Sequence, residues 1–105
     1  METFTISPFL HTKLPYDPSN DFVAISSFGY SNQILVAPAS SRLKNVAGLI
    51  AEARKENGSM QHATIGVGGS SHINMVLLES LAEIKLTPIH YRGGARAFSR
   101  ATHAL

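Results

Sequence analysis

Thr64-Ile65-Gly66-Val67-Gly68-Gly69-Ser70-Ser71-His72 is the stretch that decides the fold, because it follows a short β-prone run and leads into an apolar helical run. Its glycines allow a sharp turn and a close approach of the backbone to a ligand. Ser70 or Ser71 is predicted to cap the next helix, whose first N–H groups then point into the same turn. Those donors and the helix dipole favour an anion. Many such turns hold no ligand, so the loop alone does not predict a binding site, and other features of the chain must indicate one as well.

Two familiar glycine-loop motifs are excluded. A phosphate-binding P-loop needs Lys-Ser or Lys-Thr after its last glycine, and no lysine lies between Lys55 and Lys85. A dinucleotide fingerprint that starts at Gly66 needs Gly or Ala where Ser71 stands, and an acidic residue after the next strand. Residues 86–105 contain no acidic residue. We therefore expect no nucleotide cofactor.

The composition is that of one small globular unit with an uneven charge. The chain has 105 residues, 44% of them hydrophobic, and no cysteine, which excludes disulfides and a cysteine-based metal site or nucleophile. The histidines show no paired i, i+4 spacing, so no metal site is predicted. The formal net charge is +2, but residues 84–105 carry Lys85, Arg92, Arg96 and Arg100 without one acidic side chain. This imbalance favours a small anion, and we expect no nucleic-acid partner.

The first forty residues read as irregular with β character. Residues 4–6 are interpreted as a strand end, and Ser7-Pro8 as a helix cap that starts a short turn through about Lys13. The prolines in residues 14–21 indicate a structured connector. Residues 22–31 are β-prone and residues 34–37 form a short buried-type strand.

From Asn45 onward, predicted helices and strands alternate along the chain. Asn45 is predicted to cap a helix that ends at Gly58, and residues 60–65 form the strand before the glycine loop. The helix after the loop is predicted to face inward with Ile73, Val76, Leu77 and Leu81, and outward with Glu79 and Glu83. Residues 85–91 form a strand weakened by Pro88, and Arg92-Gly93-Gly94 leads into a last helix over residues 95–101. The order predicts an α/β fold with a mostly parallel sheet flanked by helices, whose two β-to-α turns share one edge.

Three ordered motifs resemble one known family. Leu14-Pro15-Tyr16-Asp17-Pro18 followed by Asp21-Phe22 resembles a segment of the solute receptors of tripartite tricarboxylate transporters, also called Bug receptors. Gly66-Val67-Gly68-Gly69-x-x-His72 and Tyr91-Arg92-Gly93 resemble two of their turns, although many members have serine where Gly69 stands. The resemblance covers about residues 4–98.

The resemblance implies a type II periplasmic-binding-protein fold, in which two α/β lobes close on a small ligand. Such receptors are not enzymes; they bind a di- or tricarboxylate, or an acidic amino acid, and deliver it to membrane transporter subunits. No cofactor or metal is implied. The ligand-binding positions carried over to this sequence are Gly66, Val67, Gly68, Gly69, Ser70, Ser71, Tyr91, Arg92, Gly93 and Ser7, the last of these on the first-lobe side of the cleft.

The chain is also shorter than the family, and it resembles a truncated middle portion. Residues 1–21 correspond to a remnant of the first lobe with a connector, and residues 22–105 to a partial second lobe. The family implies the periplasm, whereas no signal peptide is found in this sequence, which predicts that the chain as written stays in the cytoplasm. The alternatives are a non-functional remnant that oligomerises through exposed sheet edges and, more distantly, a small α/β enzyme.

Several prominent side chains have a structural interpretation as well as a functional one. Arg92, Arg96 and Arg100 form one stripe, which is predicted to be a solvated basic face. His72 is expected to be neutral and to have a structural role, because a helix dipole disfavours positive charge at its N-terminus. Ser70 or Ser71 with His72 lacks the geometry of a nucleophile and base, since adjacent helical residues do not face each other. Tyr16 and Tyr91 are as consistent with packing as with ligand contact.

Overall fold

A computed structural model describes residues 2–103 of the chain, which forms two compact units, Met1–Ile34 and Leu35–Leu105. None of the helices within the described range is both long and apolar enough to cross a membrane. The α/β class predicted from the sequence is confirmed, with a parallel sheet that has two strands over residues 2–103. The elements are α1 (Glu2–Leu10), α2 (Val46–Glu56), β1 (Gln61–Ile65), α3 (Ser70–Ala82), β2 (Thr87–Tyr91) and α4 (Gly94–His103).

Helix α1 corrects two predictions for the N-terminal residues. Residues 4–6 lie within the helix and do not end a strand, and Ser7-Pro8 lies inside it and does not cap it. An internal proline removes one backbone donor from a helix. The helix nevertheless forms, and Phe4 makes edge-to-face contacts with the rings of Phe22 and Tyr16, with centroids 4.7 Å and 6.2 Å away. Such aromatic pairs offset part of the proline's cost.

The connector predicted over residues 14–21 is confirmed, and Asp17 organises it. The Asp17 carboxylate accepts hydrogen bonds from the Asn20 side-chain amide at 2.7 Å and the Ser19 N–H at 2.9 Å. These two bonds, that of Asn20 first, lower the pKa of the Asp17 carboxyl. The Asp17 N–H in turn donates to the Asp21 carboxylate at 2.6 Å, which closes the turn.

The β character predicted for residues 22–31 and the strand predicted for residues 34–37 are wrong for this structure. Residues 22–37 form neither helix nor strand. Their large apolar side chains are exposed, with exposed fractions of 87% for Val23 and 96% for Ile25. Branched and aromatic residues favour a strand only where they can pack on a pleated surface, and no neighbouring strand in the described part of the chain pairs with this segment.

Helix α2 follows its sequence signals. Asn45 caps it as predicted, and its side-chain oxygen accepts from the Gly48 N–H at 2.8 Å. The helix ends at Glu56; its C-cap Asn57 has a left-handed φ of 46°, and Gly58 follows with φ of 92°. Ala53 lies on the inner face and is fully buried.

Helix α3 presents a different face to the core from the predicted one. Val76, Leu77 and Leu81 are exposed, whereas Met75 is buried and joins a core cluster. The helix is apolar on several sides, so periodicity alone does not select its orientation. The rest of that cluster consists of buried Ala53, Ile84 and Leu86, with Leu49, Ile50, Met60, Leu78 and Ala82 packed against them.

The end of α3 is tied to the elements on either side of it. Glu79, predicted to point outward, accepts a hydrogen bond from the Leu86 N–H at 2.5 Å. The Arg54 guanidinium of α2 donates to the Ala82 carbonyl at 3.0 Å, which neutralises part of the negative end of α3. These bonds fix where the chain enters β2.

Strands β1 and β2 pair in parallel, with Gln61 opposite Thr87 and Ile65 opposite Tyr91. A Cβ on Gly94 would lie 3.3 Å from Ile65 Cδ1, so α4 starts against the face that carries Ile65. Helix α3 is bonded to Thr64, which lies on the opposite face because strand side chains alternate. The two helices therefore cover opposite faces of the strand pair.

The orientation of α3 is tested by truncation of one residue on each face. Met75→Ala should lower the free energy of unfolding by about 2 kcal/mol, because Met75 is only 9% exposed and its loss leaves a cavity. Leu81→Ala is the matched control, since Leu81 is 77% exposed, and it should change stability by less than about 0.5 kcal/mol. Urea unfolding of the two variants measures both values. A larger loss for Leu81→Ala would contradict this orientation.

Candidate anion-binding edge

The parallel register brings the two predicted turns together. Ile65, the last residue of β1, is opposite Tyr91, the last residue of β2. The glycine loop and Arg92-Gly93 therefore leave the sheet side by side, at its carboxyl edge. The prediction that two β-to-α turns share one edge is confirmed, and this is the edge at which open α/β sheets place ligands.

Glycine is required at several points of this edge. Gly66 and Gly68 have φ of 71° and 77°, and Gly93 has φ of 137°, where other residues are strained. Gly69 is needed for another reason, because a Cβ there would lie 2.6 Å from the Ile65 carbonyl oxygen. A serine at this position would not fit this loop conformation.

The prediction that Ser70 or Ser71 caps α3 is wrong. Gly69 is the N-cap, and no side chain makes the capping bond. The Ser71 hydroxyl points back to the strand, where it accepts from the Ile65 N–H at 3.0 Å and lies 2.8 Å from the Thr64 hydroxyl. Thr64 is only 1% exposed, so this pair of hydroxyls closes the base of the loop in the interior. The first N–H groups of α3 consequently have no side-chain cap.

His72 has the structural role predicted for it. Its Nδ1 accepts a hydrogen bond from the Gly68 N–H at 3.1 Å, which requires an unprotonated Nδ1 and thus fits a neutral ring. The His72 ring also meets the His90 ring edge to face, with centroids 5.0 Å apart. The middle of the glycine loop is therefore attached to the first turn of α3.

His62 of β1 lies behind the pair of rings formed by His72 and His90. Its Nδ1 is buried and has no hydrogen-bond partner in the described part of the chain. Burial lowers the pKa of the His62 imidazole; Glu79 opposes this effect, whereas His72 and His90 add to it. A neutral His62 is therefore favoured beneath the loop.

The electrostatics of the edge favour an anion. The first turns of α3 and α4 contain no acidic residue, so the positive ends of both helix dipoles are uncompensated there. Arg92 is exposed directly after β2. Arg96 and Arg100 are also exposed further along α4, as predicted for a solvated basic face. Across residues 2–103, no group of three or more histidine or acidic side chains could hold a metal ion.

Nine of the ten predicted ligand-binding positions lie in the two turns or next to them. The exception is Ser7, which lies in α1, within the unit Met1–Ile34, where its carbonyl accepts from the His11 N–H at 3.0 Å. The ligand-binding roles of all ten stay predictions. Sequence reasoning missed Thr64, His62 and His90 as parts of the loop's base. For His62 and Thr64 the signal is the alternation of β1, where the two residues are two positions apart and share a face.

The fold and the edge define an α/β unit whose two glycine turns and helix N-termini meet at one end of a parallel strand pair. The model of the tripartite tricarboxylate transporter family receptors, TctC, matches residues 1–103. The chain belongs to this family.

Two curated relatives are similar over most of the chain. The UPF0065 protein in the tcbD-tcbE intergenic region of a Pseudomonas species is 32% identical over 94 residues, which are 90% of this chain. A UPF0065 protein of Bordetella pertussis is 25% identical over 93 residues, or 89% of this chain. The matched region is 28% of the length of each relative, so the chain spans less than a third of either.

The internal role of the Ser71 hydroxyl is tested against its neighbour. Ser71→Ala should lower the free energy of unfolding by about 1–3 kcal/mol, because it leaves the buried Thr64 hydroxyl and the Ile65 N–H without this partner. Ser70→Ala is the matched control and should be nearly neutral, since no hydroxyl bond of Ser70 is seen among the described residues. Chemical denaturation measures both. Equal losses of stability in the two variants would contradict the internal role of the Ser71 hydroxyl.

Burial of His62 predicts that stability falls with acidification. Its pKa is lower in the folded chain than in the unfolded chain, so below about pH 7 the unfolded state binds more protons and is favoured. We expect the free energy of unfolding to decrease from about pH 7 to pH 5, and His62→Gln to reduce this slope. His11→Gln, a change at an exposed histidine, should leave the slope unchanged. An unchanged slope in His62→Gln would contradict the assignment.

Proposed function

We propose that this chain forms part of the ligand cleft of a periplasmic solute receptor for a tripartite tricarboxylate transporter. The ligand is a small carboxylate, such as a di- or tricarboxylate or an acidic amino acid, which the receptor delivers to the membrane subunits. The cleft is that of a type II periplasmic-binding-protein fold. Residues 1–21 belong to its first lobe and connector, and residues 22–105 to its second lobe.

The shared edge of the two glycine turns carries this proposal. A carboxylate placed there meets backbone N–H donors of the loop between Gly66 and Ser71, except that of Gly68, which donates to His72, and the positive ends of two helices. Arg92 adds a fork of donors that matches a carboxylate. Tyr91 and Val67 supply apolar surface. Family membership supports the same class of ligand.

Binding without catalysis is proposed, because the Ser71 hydroxyl and the His72 ring, one candidate pair of nucleophile and base, are used otherwise. The Ser71 hydroxyl is bonded to the Thr64 hydroxyl and the Ile65 N–H, and neither of these is a base. The His72 Nδ1 is bonded to the loop backbone. A general base must reach the proton that it removes, and this geometry gives neither group that access.

One observation favours the alternative of a self-associating receptor remnant. Residues 23–34 expose large apolar side chains, among them Phe28 and Tyr30, which are almost fully exposed. Extended apolar segments without a partner strand favour association between chains. A broad thermal transition that no carboxylate shifts, combined with a size that grows with concentration, would favour this alternative.

The test compares two arginines of one stripe. Succinate, citrate, glutamate and nicotinate are titrated into the 105-residue chain at low ionic strength, with the shift of the thermal midpoint and calorimetry as readouts, since a ligand that binds only the native state raises its stability. Arg92→Gln should weaken binding of the best ligand about tenfold, because it removes a charge-assisted bond.

Arg100→Gln is the matched control. It removes the same charge from an exposed position about two helical turns further along, and its effect should be less than about twofold. Equal effects of the two substitutions would mean that net charge alone attracts the ligand. No shift with any of the four carboxylates would contradict the proposed function.

A further inference from the structure

The His72 ring holds the glycine loop through a hydrogen-bond acceptor, Nδ1, and a proton on Nδ1 removes that acceptor. Its Nδ1 accepts from the Gly68 N–H at 3.1 Å, and Gly68 is buried in the middle of the loop. In a neutral imidazole one nitrogen donates and the other accepts, so this bond requires the tautomer with the proton on Nε2. A proton added at Nδ1 places a donor against a donor, and the bond is lost.

The Ser71 and His72 side chains both hold the loop, and they differ in whether a proton can break the bond. The Ser71 hydroxyl, bonded to Thr64 and the Ile65 N–H, does not titrate near neutrality. The His72 bond depends instead on a ring nitrogen that a proton can occupy. The base of the loop is therefore held by hydroxyl and backbone groups, whereas its middle, at Gly68, is held by an acceptor that a proton can block.

The charged and titratable groups around His72 and along α3 come from four elements. His62 faces it from β1, and His90 faces it from β2 with ring centroids 5.0 Å apart. On α3 itself, Glu79 lies two turns further on and is bonded to the Leu86 N–H. Arg54 of α2 contacts the far end of α3, at Ala82. No acidic residue lies in the first turn of α3, where the dipole also opposes an imidazolium.

We propose that His72 is a positioning residue for the anion-binding edge, and that its neutral ring holds Gly68 so that the loop's N–H groups stay aimed at the ligand. Protonation of His72 releases Gly68 and weakens anion binding, although it adds a positive charge near the anion. The proposal rests on the proposed function for its effect on the ligand, but the bond from His72 to Gly68 is testable without one.

The first experiment observes the hydrogen bond itself. In the ¹⁵N-labelled full chain, an N–H···N bond transmits a scalar coupling between the Gly68 nitrogen and His72 Nδ1. We expect this coupling at pH 8, together with the Nε2–H tautomer of His72, and its loss when acid places a proton on Nδ1. The proposal would be overturned by a His72 ring that carries its proton on Nδ1 at pH 8. A Gly68 amide signal that does not change between pH 8 and pH 5 would overturn it as well.

The second experiment measures the affinity for succinate and citrate from pH 8 to pH 5. Affinity should fall about fivefold as His72 protonates, the fold-change of one ordinary hydrogen bond. His72→Asn keeps an acceptor, Oδ1, at the position of Nδ1 and does not titrate, so it should bind as the wild type does at pH 8 and lose the dependence on His72. His11→Asn, at an exposed histidine outside the loop, is the matched control and should retain that dependence.

The outcomes separate the two proposals. If the coupling is present and pH-sensitive but neither carboxylate binds at any pH, His72 holds the loop and the proposed function fails for these ligands. If affinity rises toward pH 5, the imidazolium attracts the anion and the positioning role is overturned. A fall in affinity that persists unchanged in His72→Asn would overturn it as well.

Discussion

The parallel pairing of β1 with β2 is the constraint on which the rest of the unit Leu35–Leu105 depends. Parallel strands cannot be joined by a tight hairpin, so a crossover is required, and α3 with its flanking turns supplies it. The same constraint sends both strands out at one edge and starts α3 and α4 there. An antiparallel pair would have placed the two turns at opposite ends, and neither helix dipole would have reinforced the other.

The polar side chains of the loop region stabilise its shape. Ser71 and Thr64 bond to each other beneath the loop, and His72 bonds to the Gly68 backbone. Each of these groups would otherwise be a buried or half-buried polar atom without a partner, which is costly in the interior. The consequence for function is that the groups left to face a ligand are mainly backbone N–H donors, joined by the exposed Arg92.

The sequence predicted those elements whose signals are local. Asn45 and Gly58 bracket α2 because capping and left-handed termination depend on neighbouring residues, and the glycine turns were located for the same reason. It failed where a partner at a distance decides. Residues 34–37 have the composition of a buried strand but pair with nothing in the described residues, and Phe4 lies in a helix that contacts the rings of Tyr16 and Phe22. The face of α3 was missed because Ser71, bonded to β1, sets the rotation that places Met75 inward one turn later.

In a loop built in this way, the groups that bind an anion differ from the groups that select one anion over another. Backbone N–H groups and helix dipoles recognise a negative oxygen but do not distinguish the carbon skeleton that carries it. In the proposed cleft, discrimination therefore falls to the few side chains at the edge. Val67 is more than half exposed at the turn, Tyr91 ends β2 half-buried, and Arg92 provides the one strong directional donor among these three. Substitutions at these three positions would therefore change the choice of ligand in the proposed cleft, whereas the glycines and the Thr64–Ser71 pair determine whether the edge forms at all.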